Sequence, residues 1–149
     1  MILIDIGNTN IVFAVSVNKK IINIKRIGTN KEIKSFNNIV SKIIKIYLSL
    51  NYLKNSKTAI ISSVVPNINS RIIKILKLHK IKVYVLKPRD MLPYFKIDYD
   101  LNEIGADRIA NSAAVIDYKI QNSIVIDFGT ATTFEVLKKN RFLGGLIFP

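Results

Sequence analysis

Two stretches of the chain nearly repeat one another. Ile2-Leu3-Ile4-Asp5-Ile6-Gly7-Asn8-Thr9-Asn10-Ile11-Val12-Phe13 stands near the start, and Ile124-Val125-Ile126-Asp127-Phe128-Gly129-Thr130-Ala131-Thr132-Thr133-Phe134-Glu135 near the end. Each is an apolar β-run that delivers an Asp, then Gly with small hydroxyl or amide residues, then a second β-run, the pattern of a β-hairpin. The tip of such a hairpin can wrap a phosphate. Gly lets the backbone approach closely, successive N–H groups and Asn or Thr side chains donate hydrogen bonds, and the Asp faces a cation. One copy is equally explained by turn chemistry, because Gly and Asn tolerate the positive φ that hairpins use. Two copies with matching flanks point instead to a duplicated nucleotide-binding architecture, each half supplying one jaw around the phosphates.

Between the repeats the pattern is alternately strand and helix. Ile2–Ile4, Ile11–Val17 and Ile21–Ile27 read as three antiparallel strands. Thr29-x-x-Glu32 is a capping-box pattern, and Ile33, Phe36, Val40, Ile43, Ile44, Tyr47 and Leu48 follow at helical spacing. Thr58–Val65 is a continuous apolar strand suited to the centre of a sheet, and Ile68, Ile72, Ile75 and Leu76 mark a second helix. Ile81–Leu86 is a further strand, Tyr94–Ile97 a short one, and Asp98–Glu103 a polar loop. A third helix from Gly105 carries Ile109, Ala110, Ala113, Ala114 and Ile116 on one face. The pattern then restarts with strands at 123–127, 131–137 and 141–147, so a second unit begins at about residue 120 and is left unfinished.

The 149 residues suffice for an ordinary domain with its own core. The net charge of +13 invites a nucleic-acid reading. The cations are mostly Lys scattered singly or in pairs among Ile and Asn, which fits an A/T-rich coding bias and argues against a nucleic-acid partner. The charge is still available to steer anionic substrates. With no cysteine there is neither a disulfide framework nor a thiolate nucleophile or metal site. No apolar run approaches the ~20 residues that span a bilayer, and residues after Met1 enter a strand directly rather than a signal-peptide core. A soluble protein of the cytoplasm is expected.

The layout resembles the actin-like ATPase fold shared by sugar kinases, heat-shock chaperones and acetate kinase. More narrowly the chain resembles the type III pantothenate kinases. The matching blocks are Asp5-Ile6-Gly7-Asn8-Thr9-Asn10, Ser62-Ser63-Val64-Val65-Pro66, Gly105-Ala106-Asp107-Arg108-Ile109-Ala110-Asn111, Asp127-Phe128-Gly129-Thr130-Ala131-Thr132-Thr133 and Leu143-Gly144-Gly145. They stand in the family's order across essentially the whole chain. The implied fold class is α/β: an actin-like ATPase (ribonuclease H-like) domain at 1–119, with a mixed five-stranded sheet flanked by helices. The first three strands of an incomplete second copy follow at 120–149.

The resemblance implies ATP-dependent phosphorylation of pantothenate to 4′-phosphopantothenate, the opening step of coenzyme A synthesis, by a homodimer. It carries ATP contacts onto Asp5, Ile6, Gly7, Asn8, Thr9, Asn10, Ile11, Val12 and Thr130. Pantothenate contacts fall on Gly105, Ala106, Asp107 and Arg108, and Tyr99 is the residue nearest the family's substrate-contacting Tyr, in a loop slightly shorter than usual. Asp107 is implied to be the base that takes the proton of the primary hydroxyl, Asp127 to lie at a monovalent cation (K⁺ or NH₄⁺), and Asp5 to place Mg²⁺. Physical alternatives stand beside these roles. An Asp in a first helical turn complements the dipole, an Arg there often forms a surface ion pair, and Ser62 and Ser63 suit capping of the next helix. His79 at a helix end is ordinary C-terminal chemistry and no candidate base. The competing functional class is a non-catalytic remnant or binding module of the same fold.

Overall fold

The computed structural model describes residues 1–29, 35–50, 53 and 57–149, and divides into two compact units, Met1–Val85 and Leu86–Pro149. In the first, β1 (Ile2–Ile6), β2 (Asn10–Val17) and β3 (Lys20–Gly28) form an antiparallel meander. After α1 (Phe36–Ser49), β4 (Thr58–Ser63) pairs parallel to β1; after α2 (Pro66–Leu78), β5 (Lys82–Val85) pairs parallel to β4. The sheet is therefore mixed and five-stranded, in the order β3-β2-β1-β4-β5, as the actin-like resemblance implied. Its core joins Ile2, Ile4, Ile6, Ile11, Phe13, Val15, Ala59 and Ile61 to the apolar faces of α1 and α2. Alternate residues of β1 are buried because a strand's side chains point alternately to its two faces. A bulge on β3 in the β2–β3 ladder places Asn23 at a φ of 52°; on β2, Phe13 and Val15 are buried on one face and Ala14 on the other.

Several boundaries depart from the sequence reading, the short strand expected at Tyr94–Ile97 being reduced to Lys96–Ile97. Helix α1 starts at Phe36, behind Ser35, and not at Thr29; Glu32 and Ile33 of the expected cap and helix lie outside the described residues. Strand β4 stops at Ser63: Val64 makes the last ladder bond, its N–H to Ile6 O at 3.1 Å, and Pro66 then opens α2, where its missing N–H costs no helical bond. Strand β5 spans only Lys82–Val85 of the expected Ile81–Leu86.

The second unit holds β6 (Lys96–Ile97), α3 (Ala106–Asp117), β7 (Asn122–Phe128), β8 (Thr132–Lys138) and β9 (Arg141–Phe148). Strands β7, β8 and β9 repeat the antiparallel meander, and β6 adds to the edge of β9 in parallel, giving the order β6-β9-β8-β7. One face of this sheet packs Val125, Leu137 and Phe142 against Ile109, Ala113 and Ile116 of α3, with Phe95 and Ile104. No helix among the described residues is long and apolar enough to cross a membrane.

Candidate active site

The first hairpin tip lies in the first unit. Ile6 opposes Ile11, so Gly7, Asn8, Thr9 and Asn10 close it. Gly7 donates its N–H to Asn10 O at 2.9 Å, and a Cβ on Gly7 would stand 3.2 Å from that same oxygen. A side chain at residue 7 would press on that oxygen, so the close approach favours glycine. None of the four residues has a positive φ, whereas the two-residue turns elsewhere do: Asn18 and Lys19 after β2, Lys139 and Asn140 after β8. Those turns use the positive φ of two-residue hairpins, and the four-residue tip with the Asp closes without it.

Asp5 sits at the C-terminal end of β1 with Ser62 directly beside it on β4. Ser62 Oγ is buried and has no hydrogen-bond partner. Its neighbour differs: Ser63 Oγ accepts the Val65 N–H at 3.1 Å and donates to Asn69 Oδ1 at 2.6 Å, shaping the entry to α2. Neither serine caps α2, whose N-cap is Val65; Ser63 only turns the chain into it. Thr29 also departs from the capping role, for it is buried under the tip, its hydroxyl donating to Gly7 O at 2.7 Å and its N–H to Thr9 O at 2.9 Å. His79 ends α2 within 3.1 Å of Ser41 Oγ on α1, which is a structural contact.

The second tip lies in the second unit. Phe128 opposes Thr132, so Gly129, Thr130 and Ala131 close it, one residue fewer than in the first, with the Gly129 N–H on Ala131 O at 3.2 Å. Asp127 opposes Thr133, whose Oγ1 is buried without a partner. This matches the first unit, where an unpartnered hydroxyl stands beside Asp5. Among the described residues no three His, Cys, Asp or Glu side chains gather as a metal site, so a cation at either Asp needs hydroxyl, carbonyl, phosphate or water oxygens.

Helix α3 lies over this hairpin. Gly105 precedes it without a side-chain cap, and the half-buried Asp107 takes the Arg108 N–H on Oδ1 at 2.8 Å. That satisfies one of the amides a helix start leaves open, and leaves Oδ2 as a further acceptor. One turn on, Asn111 donates from Nδ2 to Asp127 at 2.9 Å. The Arg108 side chain turns the other way, into the interior. Its Nε meets Glu135 Oε1 at 2.8 Å with both side chains buried, so this is no surface pair. Nη2 of Arg108 and Oε2 of Glu135 remain without partners.

The Gly144-Gly145 pair of β9 is explained by what lies against it. A Cβ on Gly145 would fall 1.8 Å from Phe134 O and 2.6 Å from Arg108 Nη2, so only glycine lets the guanidinium in. Gly144 has a φ of 122°, and the Tyr99 ring lies where its Cβ would be, 2.8 Å from Cδ2. Tyr99 also packs edge-on to Phe142 at 6.3 Å. The second unit thus brings Asp107, Arg108, Asp127 and, over β9, Tyr99 onto one small sheet with α3. Asn111 and Glu135 went unassigned in the sequence, and Thr29 was read as a helix cap; for Asn111 the available signal was its place four residues after Asp107 on one helix.

The sequence model of the type III pantothenate kinase family matches residues 1–149. A type III pantothenate kinase from Pelagibacter ubique is 42% identical over 97% of the chain, and one from Thermosipho africanus 37% identical over 100% of it. The chain spans 57% and 58% of those relatives' lengths. A crystal structure from Campylobacter jejuni, described as of a Baf family of transcriptional activators, is 26% identical with a TM-score of 0.53. It is covered to 54% by this chain, which it matches along 100%.

Proposed function

The chain belongs to the type III pantothenate kinase family, and from that premise we propose that it transfers the γ-phosphoryl group of ATP to the primary hydroxyl of pantothenate. The observation that carries this reading is the setting of Asp107. It stands half-buried at the open start of α3, on a helix fixed to the second hairpin by Asn111 to Asp127 and by Arg108 to Glu135. A base must lie within hydrogen-bond reach of the hydroxyl it deprotonates, and a helix start anchored on two sides holds that position.

Phosphoryl transfer asks mainly for positioning and for donors around the developing charge. On family resemblance, the segment from Asp5 to Val12 holds the β- and γ-phosphates through its tip, and Thr130 is assigned as an ATP contact. Gly105, Ala106 and Asp107 present the acceptor. Arg108 serves that segment by tying it to β8, and Tyr99 walls the pocket from Gly144. Asp107 takes the hydroxyl proton as the oxygen attacks phosphorus in line, and ADP leaves with the β-phosphate oxygen.

Asp5 with the Ser62 hydroxyl fits a hydrated Mg²⁺, and Asp127 with the Thr133 hydroxyl fits K⁺ or NH₄⁺, because each Asp has an unsatisfied buried oxygen beside it. Such ions, when bound, neutralise phosphate charge. We place the protein in the cytoplasm as a homodimer on family resemblance. The segment 120–149 we read as the opening of a second copy of the 1–119 domain, on the repeated meander.

Incubation with ATP and pantothenate tests the reading: 4′-phosphopantothenate forms, and Asp107→Asn lowers turnover by roughly 10²-fold or more with the circular dichroism spectrum unchanged. No product from the wild-type chain refutes it. A second reading, a non-catalytic module of the same fold, draws on the uncovered apolar side of the second sheet, where Ile124, Ile126, Phe128, Leu146 and Phe148 are exposed.

A further inference from the structure

We infer that Thr29 is a positioning residue for the phosphate-binding tip, holding its carbonyl groups away from the ligand. The inference rests on the nucleotide-binding reading of Asp5–Asn10. A backbone loop binds phosphate when its N–H groups face the anion, and a carbonyl oxygen turned the same way repels it. Each carbonyl of the tip therefore needs a partner on the inner side. Three of them have one. Gly7 O takes the Thr29 hydroxyl at 2.7 Å, Thr9 O takes the Thr29 N–H at 2.9 Å, and Asn10 O takes the Gly7 N–H at 2.9 Å.

Thr29 supplies two of the three, from a single buried residue just past the end of β3. Its position is set by the sheet. Gly28 opposes Asn10 as the last pair of the β2–β3 ladder, so the Thr29 N–H continues the ladder by one bond while its side chain reaches across to the other limb of the tip. A buried carbonyl that loses its donor either stays unsatisfied or rotates toward another one, and both outcomes disturb the loop. The β-branched side chain adds stiffness at χ1, which keeps the hydroxyl aimed at Gly7.

The experiment compares Thr29→Val, which preserves shape and the backbone N–H, with Thr29→Ser, which preserves the hydroxyl. Binding of ATP, inorganic tripolyphosphate and adenosine is measured calorimetrically in the presence of Mg²⁺, on the full chain. Loss of the donor to Gly7 is expected to weaken ATP and tripolyphosphate by a similar factor, roughly tenfold, from the usual cost of an unsatisfied buried acceptor. Adenosine binding stays unchanged in Thr29→Val, and Thr29→Ser recovers phosphate affinity to within about threefold by the same reasoning. A general loss of fold would weaken all three ligands and would not be rescued by Ser.

Equal tripolyphosphate affinity in wild type and Thr29→Val overturns the inference. A wild-type chain that binds neither ATP nor tripolyphosphate overturns the nucleotide reading instead. In that case amide hydrogen exchange decides about Thr29. Faster exchange at Gly7 and neighbouring tip amides in Thr29→Val, restored in Thr29→Ser, supports its hold on the tip, and unchanged exchange refutes it.

Discussion

Replacing Glu135 by Ala leaves the Arg108 guanidinium buried with nothing to balance it. The side chains are 6% and 0% exposed, the Nε to Oε1 contact is 2.8 Å, and Nη2 already lacks a partner. Breaking one side of such a buried pair costs ~3–5 kcal/mol, against ~0–1 kcal/mol for an exposed pair. Domains of this kind have only ~5–15 kcal/mol of total stability, so the single substitution removes a large share of it. With a urea slope of ~1–2 kcal/mol per molar, the unfolding midpoint falls by roughly 2 M or more. The double variant Arg108→Met with Glu135→Leu removes both charges, and recovers stability to near or above wild type because the desolvation penalty disappears with them.

Urea unfolding followed by circular dichroism measures the midpoints, and hydrogen exchange at α3 and β8 assigns the loss to the second unit. A shift of less than ~1 kcal/mol in Glu135→Ala, the range of an exposed pair, refutes the argument. So does a double variant as unstable as the single, since the cost would then lie in lost shape and not in stranded charge.

Burial pushes the Tyr47 hydroxyl from its ordinary 10.0 up to about 12, the backbone hydrogen bond at Lys25 acting in the opposite direction. The folded state thus holds the phenolic proton more tightly than the unfolded chain. This contribution is whole below pH 10 and is lost as pH rises from about 10 to about 12; unfolding midpoints should fall across that window, and Tyr47→Phe should flatten the fall. An alkaline limb identical in Tyr47→Phe refutes the assignment. Ile126→Asp, on the uncovered side of the second sheet, is expected to reduce self-association seen by light scattering, while Ile4→Asp, at the aligned buried position of the first sheet, prevents folding. Undiminished association in Ile126→Asp would show that this side takes no part in it.

What could be read from the residues, and what could not, follows from range. Both meanders, their hairpin Asps and helices α2 and α3 rest on local period and turn chemistry, and they appear where the residues placed them. The tip was open between ordinary turn and phosphate cradle, because Gly, Asn and Thr suit both. Thr29 shows why local patterns mislead: Thr-x-x-Glu is the pattern of a helix cap, yet its hydroxyl is held by a carbonyl 22 residues earlier in the chain. Glu135 carried no local signal at all. An acid on a strand between Phe134 and Val136 reads as a solvent-facing position until the arginine that meets it, 27 residues back, is known. The short strand read at Tyr94–Ile97 is present as Lys96–Ile97, but its pairing with β9, far along the sequence, carried no local signal.

The repeat itself has a limit that the structure makes concrete. Ile2, Ile4 and Ile6 are 1%, 2% and 0% exposed, whereas their counterparts Ile124, Ile126 and Phe128 are 64%, 48% and 82% exposed. Nearly the same strand thus has opposite surroundings. In the first sheet α1 and α2 cover the isoleucine side; in the second, α3 packs on the other side, where Val125, Leu137 and the Arg108–Glu135 pair lie. The shorter second tip has a further effect, because side chains alternate along a strand. Past the tip the ladders therefore align Phe134 with Phe13, opposite Ile126 and Ile4, and Glu135 with Ala14, opposite Val125 and Leu3. An acid thus stands where the first copy has Ala14, on the side of the second sheet that α3 covers, and Arg108 of that helix meets it.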